Sequence, residues 1–264
     1  MGILERFELR DRVAIVTGAG KGIGAGTAKA LAEAGADVVC AARTPDDLDR
    51  TVADIEAAGR RGLAVPTDVL ERDQLERLVT AAVETFGRID ILVNNAGGWP
   101  PQPALRTGEA AFEQALRFNV VSPFLLTRFV VPVMVDTAGG GAVVNISSRS
   151  ASMVQPNFVA YGTAKAGLSF MTKQLATELA PKVRINAIEV GGVETDALAT
   201  VLTDDDIRKQ METNTPMQRV GQPEDIAACV VYLTSPASSW VTGKIFEVDG
   251  GAEHPAFTIP IQPL

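Results

Sequence analysis

Val13-Ala14-Ile15-Val16-Thr17-Gly18-Ala19-Gly20-Lys21-Gly22-Ile23-Gly24, running into a helical stretch from Ala25 to Ala34, decides the fold. A short apolar strand leads into a glycine turn, and the turn leads into a helix. That is the order a nucleotide-binding βαβ unit requires. Glycines let the backbone approach a pyrophosphate, and the helix amino terminus offers unpaired N–H groups at the positive end of its dipole. The spacing is G-x-x-x-G-x-G rather than G-x-G-x-x-G, so the flanking strand and helix carry as much of the argument as the glycines.

The same alternation repeats outward from this unit. Asp37–Ala42 is a second strand, followed by Arg43 and by a helix from Pro45 to about Ala58, with Asp46 and Asp47 as its first-turn acids. Leu63–Val65 is a third strand running on to Asp68-Val69, and Gln74–Phe86 an amphipathic helix. Ile89–Val93 is a fourth strand ending in Asn94-Asn95-Ala96-Gly97-Gly98, and Trp99–Pro103 reads as a loop. Ala110–Val135 is mostly helical, with Asn119 at mid-helix and Pro123 and Pro132 as expected bends. Gly141–Ile146 is a buried strand ending in Ser147-Ser148, and Ala160–Leu179 a helix. Val183–Ile188 leads to Val190-Gly191-Gly192-Val193-Glu194-Thr195; Leu198–Glu212 and Pro223–Leu233 read as helices, and Lys244–Val248 as a seventh strand. The pattern predicts one domain over residues 1–264: a Rossmann-type doubly wound sheet of seven mainly parallel strands in a three-layer α/β/α arrangement. The tail, 252–264, carries three prolines and is expected to be irregular.

Composition narrows the function. The chain of 264 residues carries a net charge of −8, with a pI near 4.8, which argues against nucleic acid as a partner. One histidine, His254, and two distant cysteines, Cys40 and Cys229, leave no His/Cys metal site at ligand spacing. The cysteines read as buried free thiols of a reducing cytoplasm. No uninterrupted apolar run approaches the roughly 18 residues that span a bilayer, so no membrane partner is expected.

Chemistry concentrates at Asn145-Ile146-Ser147-Ser148 and Tyr161-Gly162-Thr163-Ala164-Lys165. Positions i and i+4 share a helix face, so the Tyr161 phenol and the Lys165 ammonium are neighbours. A strand-end serine reaching both makes a constellation for proton transfer to a carbonyl oxygen. A free phenol, with a pKa of about 10, is too weak an acid to work as phenolate near neutrality. A cation about 4 Å away would lower that pKa, by up to roughly 4 kcal/mol at an effective dielectric near 20. At the end of the second strand, Ala41-Ala42 offers no carboxylate for a ribose 2′-hydroxyl, and Arg43 follows. Arg43, with Lys21 in the glycine turn, suits a 2′-phosphate and predicts NADP(H) over NAD(H).

Taken in order, Thr17 to Gly24, Asp68-Val69, Asn94-Asn95-Ala96-Gly97, Asn119, Ser148 and Tyr161-x-x-x-Lys165 resemble the short-chain dehydrogenase/reductase family of the short single-domain type, from about Leu9 to Gly251. The resemblance implies hydride transfer between a nicotinamide cofactor and a ketone or secondary alcohol, in a homotetramer with the Asn119 and Tyr161 helices in one interface. It implies that Tyr161 is the acid/base, that Ser148 binds the substrate oxygen, that Lys165 holds the nicotinamide ribose, and that Asn119 keeps a water linking Lys165 to solvent. Ser147 is a rival to Ser148, and the thirteen-residue spacing to Tyr161 favours Ser148. The cofactor contacts implied are Gly18, Gly20, Lys21, Gly22, Ile23, Gly24, Arg43, Asp68, Val69, Asn95, Ala96, Gly97 and Gly191, with Val193 and Thr195 facing the carboxamide. The family's usual Pro-Gly after the sixth strand is here Val190-Gly191.

Trp99, Met153, Phe158 and Val190 are the expected substrate-pocket residues. The look is closest to bacterial 7α-hydroxysteroid dehydrogenases and to 3-oxoacyl-carrier-protein reductases. A bulky apolar substrate is expected, with a 3-oxoacyl thioester as the alternative and Arg128 and Arg149 as its candidate contacts. A cofactor-binding regulator without catalysis is the alternative of another class.

Overall fold

The computed structural model describes residues 2–195, Leu198 and 203–256. Its seven strands are β1 (Val13–Thr17), β2 (Asp37–Ala42), β3 (Gly62–Pro66), β4 (Ile91–Asn94), β5 (Gly141–Ser148), β6 (Val183–Val190) and β7 (Ile245–Val248). They form one sheet in the order β3-β2-β1-β4-β5-β6-β7, and every neighbouring pair is parallel. The expected Rossmann-type α/β/α sheet is therefore present, wholly parallel among the described residues. The chain leaves β1 in one direction toward β2 and β3, and later returns to its other side with β4. A crevice opens at that reversal, beyond the strands' carboxyl ends.

Helices cover both faces. On one lie α1 (Gly22–Glu33), α2 (Pro45–Ala57) and, after α7 (Asp205–Asn214), α8 (Pro223–Thr234). On the other lie α3 (Arg72–Phe86), α4 (Glu109–Leu116), α5 (Ser122–Ala138) and α6 (Val159–Leu179). Coverage on two sides explains why β1 and β5 read as continuous apolar runs rather than alternating ones. Alternate residues nonetheless divide between two cores. Val144, Ile146, Ile188 and Ile226 pack on the α1/α8 side, and Val143, Ile185, Leu126 and Met134 on the α3/α5 side. Gly87 and Gly139, both at φ +76°, end α3 and α5 in the left-handed conformation that glycine adopts without strain. Gln222 and Asp225 form a reciprocal capping box around Pro223 at the start of α8.

Several element ends differ from the sequence reading by one to three residues. The larger difference is at Asn119. The expected bends at Pro123 and Pro132 resolve into one π-type turn, Arg117–Val121, immediately before Pro123; α5 then continues through Pro132. Proline has no N–H to give to the residue four before it, so Pro123 cannot close a normal turn onto Asn119. With this turn included, Glu109–Ala138 is 30 residues long and holds an 18-residue window with a mean hydropathy of 1.7, apolar enough by composition to cross a membrane. Uninterrupted runs had suggested no such stretch. Its inner face packs on the sheet through Leu126, Val130 and Met134. Residues 199–202 of the expected 198–212 helix lie outside the described residues, as do residues 257–264 of the tail; the rest of that stretch supplies α7, which runs on to Asn214.

Candidate active site

The glycine turn is fixed from two directions. The Asn95 side-chain amide donates to the carbonyls of Thr17 (2.9 Å) and Gly18 (3.3 Å). The Thr17 hydroxyl in return accepts from the backbone N–H groups of Asn95 and Ala96, each at 3.0 Å. β4 is thereby stapled to the end of β1, and the crevice floor is set. Gly24 has no space for a side chain: a Cβ there would overlap the Gly18 carbonyl and lie 2.5 Å from Asn95 Nδ2. A Cβ on Gly22 would meet Thr195 Cγ2 at 3.2 Å, so the loop after β6 closes on the turn. α1 begins at Gly22 with no side chain capping its first N–H groups. A bare helix start behind a side-chain-free turn fits the pyrophosphate of a dinucleotide.

At the adenosine end the outcome is mixed. Arg43 is exposed just beyond β2, and no ion pair to it occurs among the described residues. Lys21 Nζ, by contrast, lies 3.4 Å from the carboxylate of Asp47, which also pairs with Arg50. Asp47 does sit in the first turn of α2, but it is buried against Gly20 rather than solvated. Asp68 accepts from the Leu70 N–H at 3.0 Å, and its own N–H is held by Gln74. Val69 packs in the α3-side core.

The candidate catalytic group, Ser148, Tyr161 and Lys165, assembles where β5 meets α6. Burial of the ring pushes the Tyr161 phenol pKa up, and the neighbouring Ser148 hydroxyl pulls it only part of the way back. Burial likewise pushes the Lys165 ammonium down to about 8. The sequence reading expected the lysine charge to lower the phenol. Desolvation dominates both groups, because a low-dielectric site disfavours phenolate and ammonium alike. Lys165 Nζ donates to the Ile146 carbonyl at 2.8 Å and stands 5.7 Å from the Tyr161 ring centre. Ser147 points the other way: its hydroxyl donates to the Lys165 carbonyl (3.2 Å) and meets Ser169 Oγ (3.0 Å). Strand alternation thus decides between the two serines, and Ser148 is the one at the phenol.

Asn119 is fully engaged. Its Oδ1 accepts from Gly98 N at 2.9 Å, and its Nδ2 donates to the carbonyls of Gly98 and Ala115, both at 3.0 Å. It clamps the π-type turn to the loop after β4, which leaves no side-chain donor for the water expected there. A Cβ on Gly97 would come within 2.9 Å of both Asn119 Oδ1 and Lys165 Nζ. Glycine is what lets that loop pass over the lysine.

Comparison with known proteins agrees with this geometry. The family described as enoyl-(acyl carrier protein) reductase matches residues 18–253. The 7alpha-hydroxysteroid dehydrogenase of Escherichia coli (strain K12) is 39% identical over 248 residues, covering 94% of this chain and 96% of that protein. The chain belongs to the short-chain dehydrogenase/reductase family. An uncharacterized oxidoreductase of Mycobacterium tuberculosis, MT0954, is 46% identical over 262 residues, 99% of this chain and 100% of that one. A solved structure of 7α-hydroxysteroid dehydrogenase complexed with NADH and 7-oxo glycochenodeoxycholic acid superposes with a TM-score of 0.91 at 38% identity, covering 96% of this chain and 98% of that one. As a member of this family the protein is an oxidoreductase that uses a nicotinamide cofactor.

Around this centre, two loops meet at the mouth. Gln102 N donates to the Asn157 carbonyl at 2.7 Å, which joins the Trp99–Pro103 segment to the segment before α6. Trp99, Met153 and Phe158 are all half-buried there, and the Phe158 ring lies 6.1 Å from the Tyr161 ring. Val190 is the exception among the four expected pocket residues. It is 8% exposed and packs with Ile188, Val193 and Ile226 in the core. Its chain neighbour Gly191 faces Asp249, where a Cβ would lie 2.6 Å from Cα. Val193 is buried and bridges to Gly221.

Two positioning residues stand in the quoted motifs without a role of their own. Thr17 is one. Asn145 is the other: it accepts from Asn94 Nδ2 at 2.8 Å and donates to Thr172 Oγ1 at 2.9 Å, tying β4, β5 and α6 together under the site. An asparagine inside the apolar run Gly141–Ile146 was the available signal, since a buried amide needs partners.

Proposed function

We propose that the protein interconverts a bulky, apolar ketone and the corresponding secondary alcohol, with NADP(H) preferred to NAD(H). The observation that carries the reaction is the convergence of the Ser148 hydroxyl and the Lys165 ammonium on the Tyr161 phenol, with the Phe158 ring 6.1 Å from that of Tyr161. Bound at the glycine turn, the cofactor supplies or accepts the hydride at the substrate carbon. The chain's own groups handle the oxygen. Ser148 Oγ donates to it and stabilises charge that develops there. Tyr161 Oη gives it a proton in the reducing direction and takes the proton back in the oxidising one. Lys165, anchored on the Ile146 carbonyl, is placed to hold the nicotinamide ribose and to favour phenolate as a neighbouring cation.

The NADP(H) preference rests on exposed Arg43 and on the absence of an acid at Ala42. Lys21 contributes less to it than the sequence suggested, because Asp47 already balances its charge. Arg43→Ala should weaken NADPH binding by about 10–100-fold, the range of a charge-assisted hydrogen bond, and change NADH binding far less. A wild-type preference for NADH would overturn the assignment. The steroid-type substrate is supported by the 39% identity to 7alpha-hydroxysteroid dehydrogenase. Reduction of 7-oxo glycochenodeoxycholic acid, followed by nicotinamide absorbance alongside 3-oxoacyl thioesters and simple ketones, is the direct test.

The thioester alternative is weakened by one observation. An acidic carrier protein needs free cations at the mouth, yet Arg149 is turned inward onto Glu247 (2.6 Å) and Asp249 (2.8 Å). A cytoplasmic homotetramer is proposed with this reading. Phe124 and Phe170, 40% and 61% exposed on α5 and α6, are apolar surface that a subunit interface would cover. Light scattering of the purified protein checks it: a monomer would contradict it.

A further inference from the structure

The residue after the catalytic serine is committed to a partly buried charged cluster that the reaction does not use. β5 ends at Ser148, and a short turn, Arg149–Ala151, follows. Arg149 is only 15% exposed and fans its guanidinium over three carboxylates: Glu247 at 2.6 Å, Asp249 at 2.8 Å and Glu189 at 3.6 Å. It also donates to Ser152 Oγ at 2.8 Å and to the Ala252 carbonyl at 3.3 Å. Glu189 is 4% exposed. One of its oxygens accepts from Ser152 Oγ at 2.6 Å, and the other from Ser169 Oγ on α6 at 2.9 Å.

The cluster therefore grips the turn at both ends. Arg149 holds its start, and Ser152, shared by Arg149 and Glu189, holds its end. What lies between decides the catalytic hydroxyl. Ser148 Oγ accepts from the Ser150 N–H at 3.2 Å, and the Ser150 carbonyl lies 2.9 Å from where a Cβ on Gly162 would be, one residue after Tyr161. A buried carboxylate or guanidinium is tolerated only with its partners in place. A turn held this way has one arrangement rather than several.

We propose that Arg149 and Glu189 are positioning residues, a clamp that fixes the Ser148 hydroxyl against Tyr161 and couples it to the Asp249–Ala252 segment. The inference rests on the Ser148–Tyr161 pair assigned above, but its test needs neither substrate nor cofactor. The chain has two tyrosines, so Tyr232→Phe leaves Tyr161 as the sole one. With tyrosine labelled with carbon-13 at the ring carbon bearing oxygen, a single resonance at neutral pH reports the hydrogen bonding of that hydroxyl. Ser148→Ala sets the position of a phenol that has lost its partner. Arg149→Met and Glu189→Gln should each move the resonance most of the way to that position, and should add nothing in the Ser148→Ala background. Arg149→Lys should restore part of the shift. Thermal unfolding confirms that each variant is folded, and if Arg149→Met is not, the near-isosteric Glu189→Gln carries the test alone. A resonance that stays at the wild-type position in folded Glu189→Gln overturns the proposal. So does an equal displacement with and without Ser148. Loss of turnover with the Tyr161 resonance unmoved overturns it as well, whereas a resonance displaced as expected in a wild-type protein that turns over no ketone or alcohol leaves the clamp standing and fails the functional reading alone.

Discussion

The two halves of the crevice are built on different principles. The cofactor half is made of backbone and close approach. Gly24 lies against Gly18, Asn95 staples β4 to the end of β1, and Gly97 passes over Lys165. The proposed substrate half is made of side chains on two loops, and the backbone hydrogen bond from Gln102 to Asn157 joins them. Steric exclusion leaves the first half one arrangement for any dinucleotide. Half-buried Trp99, Met153 and Phe158 leave the second half open to change by substitution. One fold can thus keep a constant hydride-transfer centre and vary what enters it.

Ser148 sits where the halves meet, and its removal has the largest expected effect. Ser148→Ala should lower kcat by about 10²–10³-fold, the loss seen when one oxyanion donor is deleted, with cofactor affinity unchanged. A weaker effect confined to KM would make it a substrate-half residue. Gly24→Ala tests the rigid half. The added methyl has no space, so a destabilisation of about 1–3 kcal/mol is expected in denaturant melts, along with weaker binding of both cofactors. An unperturbed variant would break the comparison.

Trp99→Ala tests the adaptable half. Losing apolar contact area should raise KM for a bulky ketone roughly tenfold, with kcat and cofactor affinity near wild type; a loss confined to kcat would count against a wall role. The smallest effect is at α8. Arg219 and the Gln222 N–H hold the Asp225 carboxyl down at about 2, against 3.8 for an unperturbed group. A lowered carboxyl pKa gives stability that is complete above the unfolded value and is lost as pH falls through the folded one. Asp225→Asn should therefore lower Tm by a constant amount above about pH 4, and the deficit should close as pH approaches 2. A deficit that persists at the lowest pH would assign it to the lost capping box instead.

The rigid half was also the legible half. Glycine positions, strand runs and the Tyr161/Lys165 spacing each follow from one local constraint, and the sheet, its helices and the Ser148–Tyr161 pair all follow from them. What stayed hidden depends on residues distant in sequence. Asp47 reads as a helix-start acid until α2 folds it beside Lys21. Val190 reads as pocket wall until β6 turns it into the core. Arg149 reads as a candidate thioester contact until β7 brings Glu247 and Asp249 to it. Lys165 was expected to lower the Tyr161 pKa, but sequence spacing gives proximity and no measure of burial, which governs both groups here.

The central claim is that Tyr161 passes the proton at a hydride-transfer centre. It is tested most directly by single-turnover reduction of 7-oxo glycochenodeoxycholic acid with NADPH, and with NADH, by wild-type protein and Tyr161→Phe, with cofactor affinity measured in parallel by fluorescence. The account predicts wild-type turnover, a loss of about 10²–10⁴-fold in the phenylalanine variant, and equal cofactor binding by the two. Turnover retained by Tyr161→Phe would contradict it, as would a wild-type protein that binds cofactor yet reduces no ketone and oxidises no alcohol.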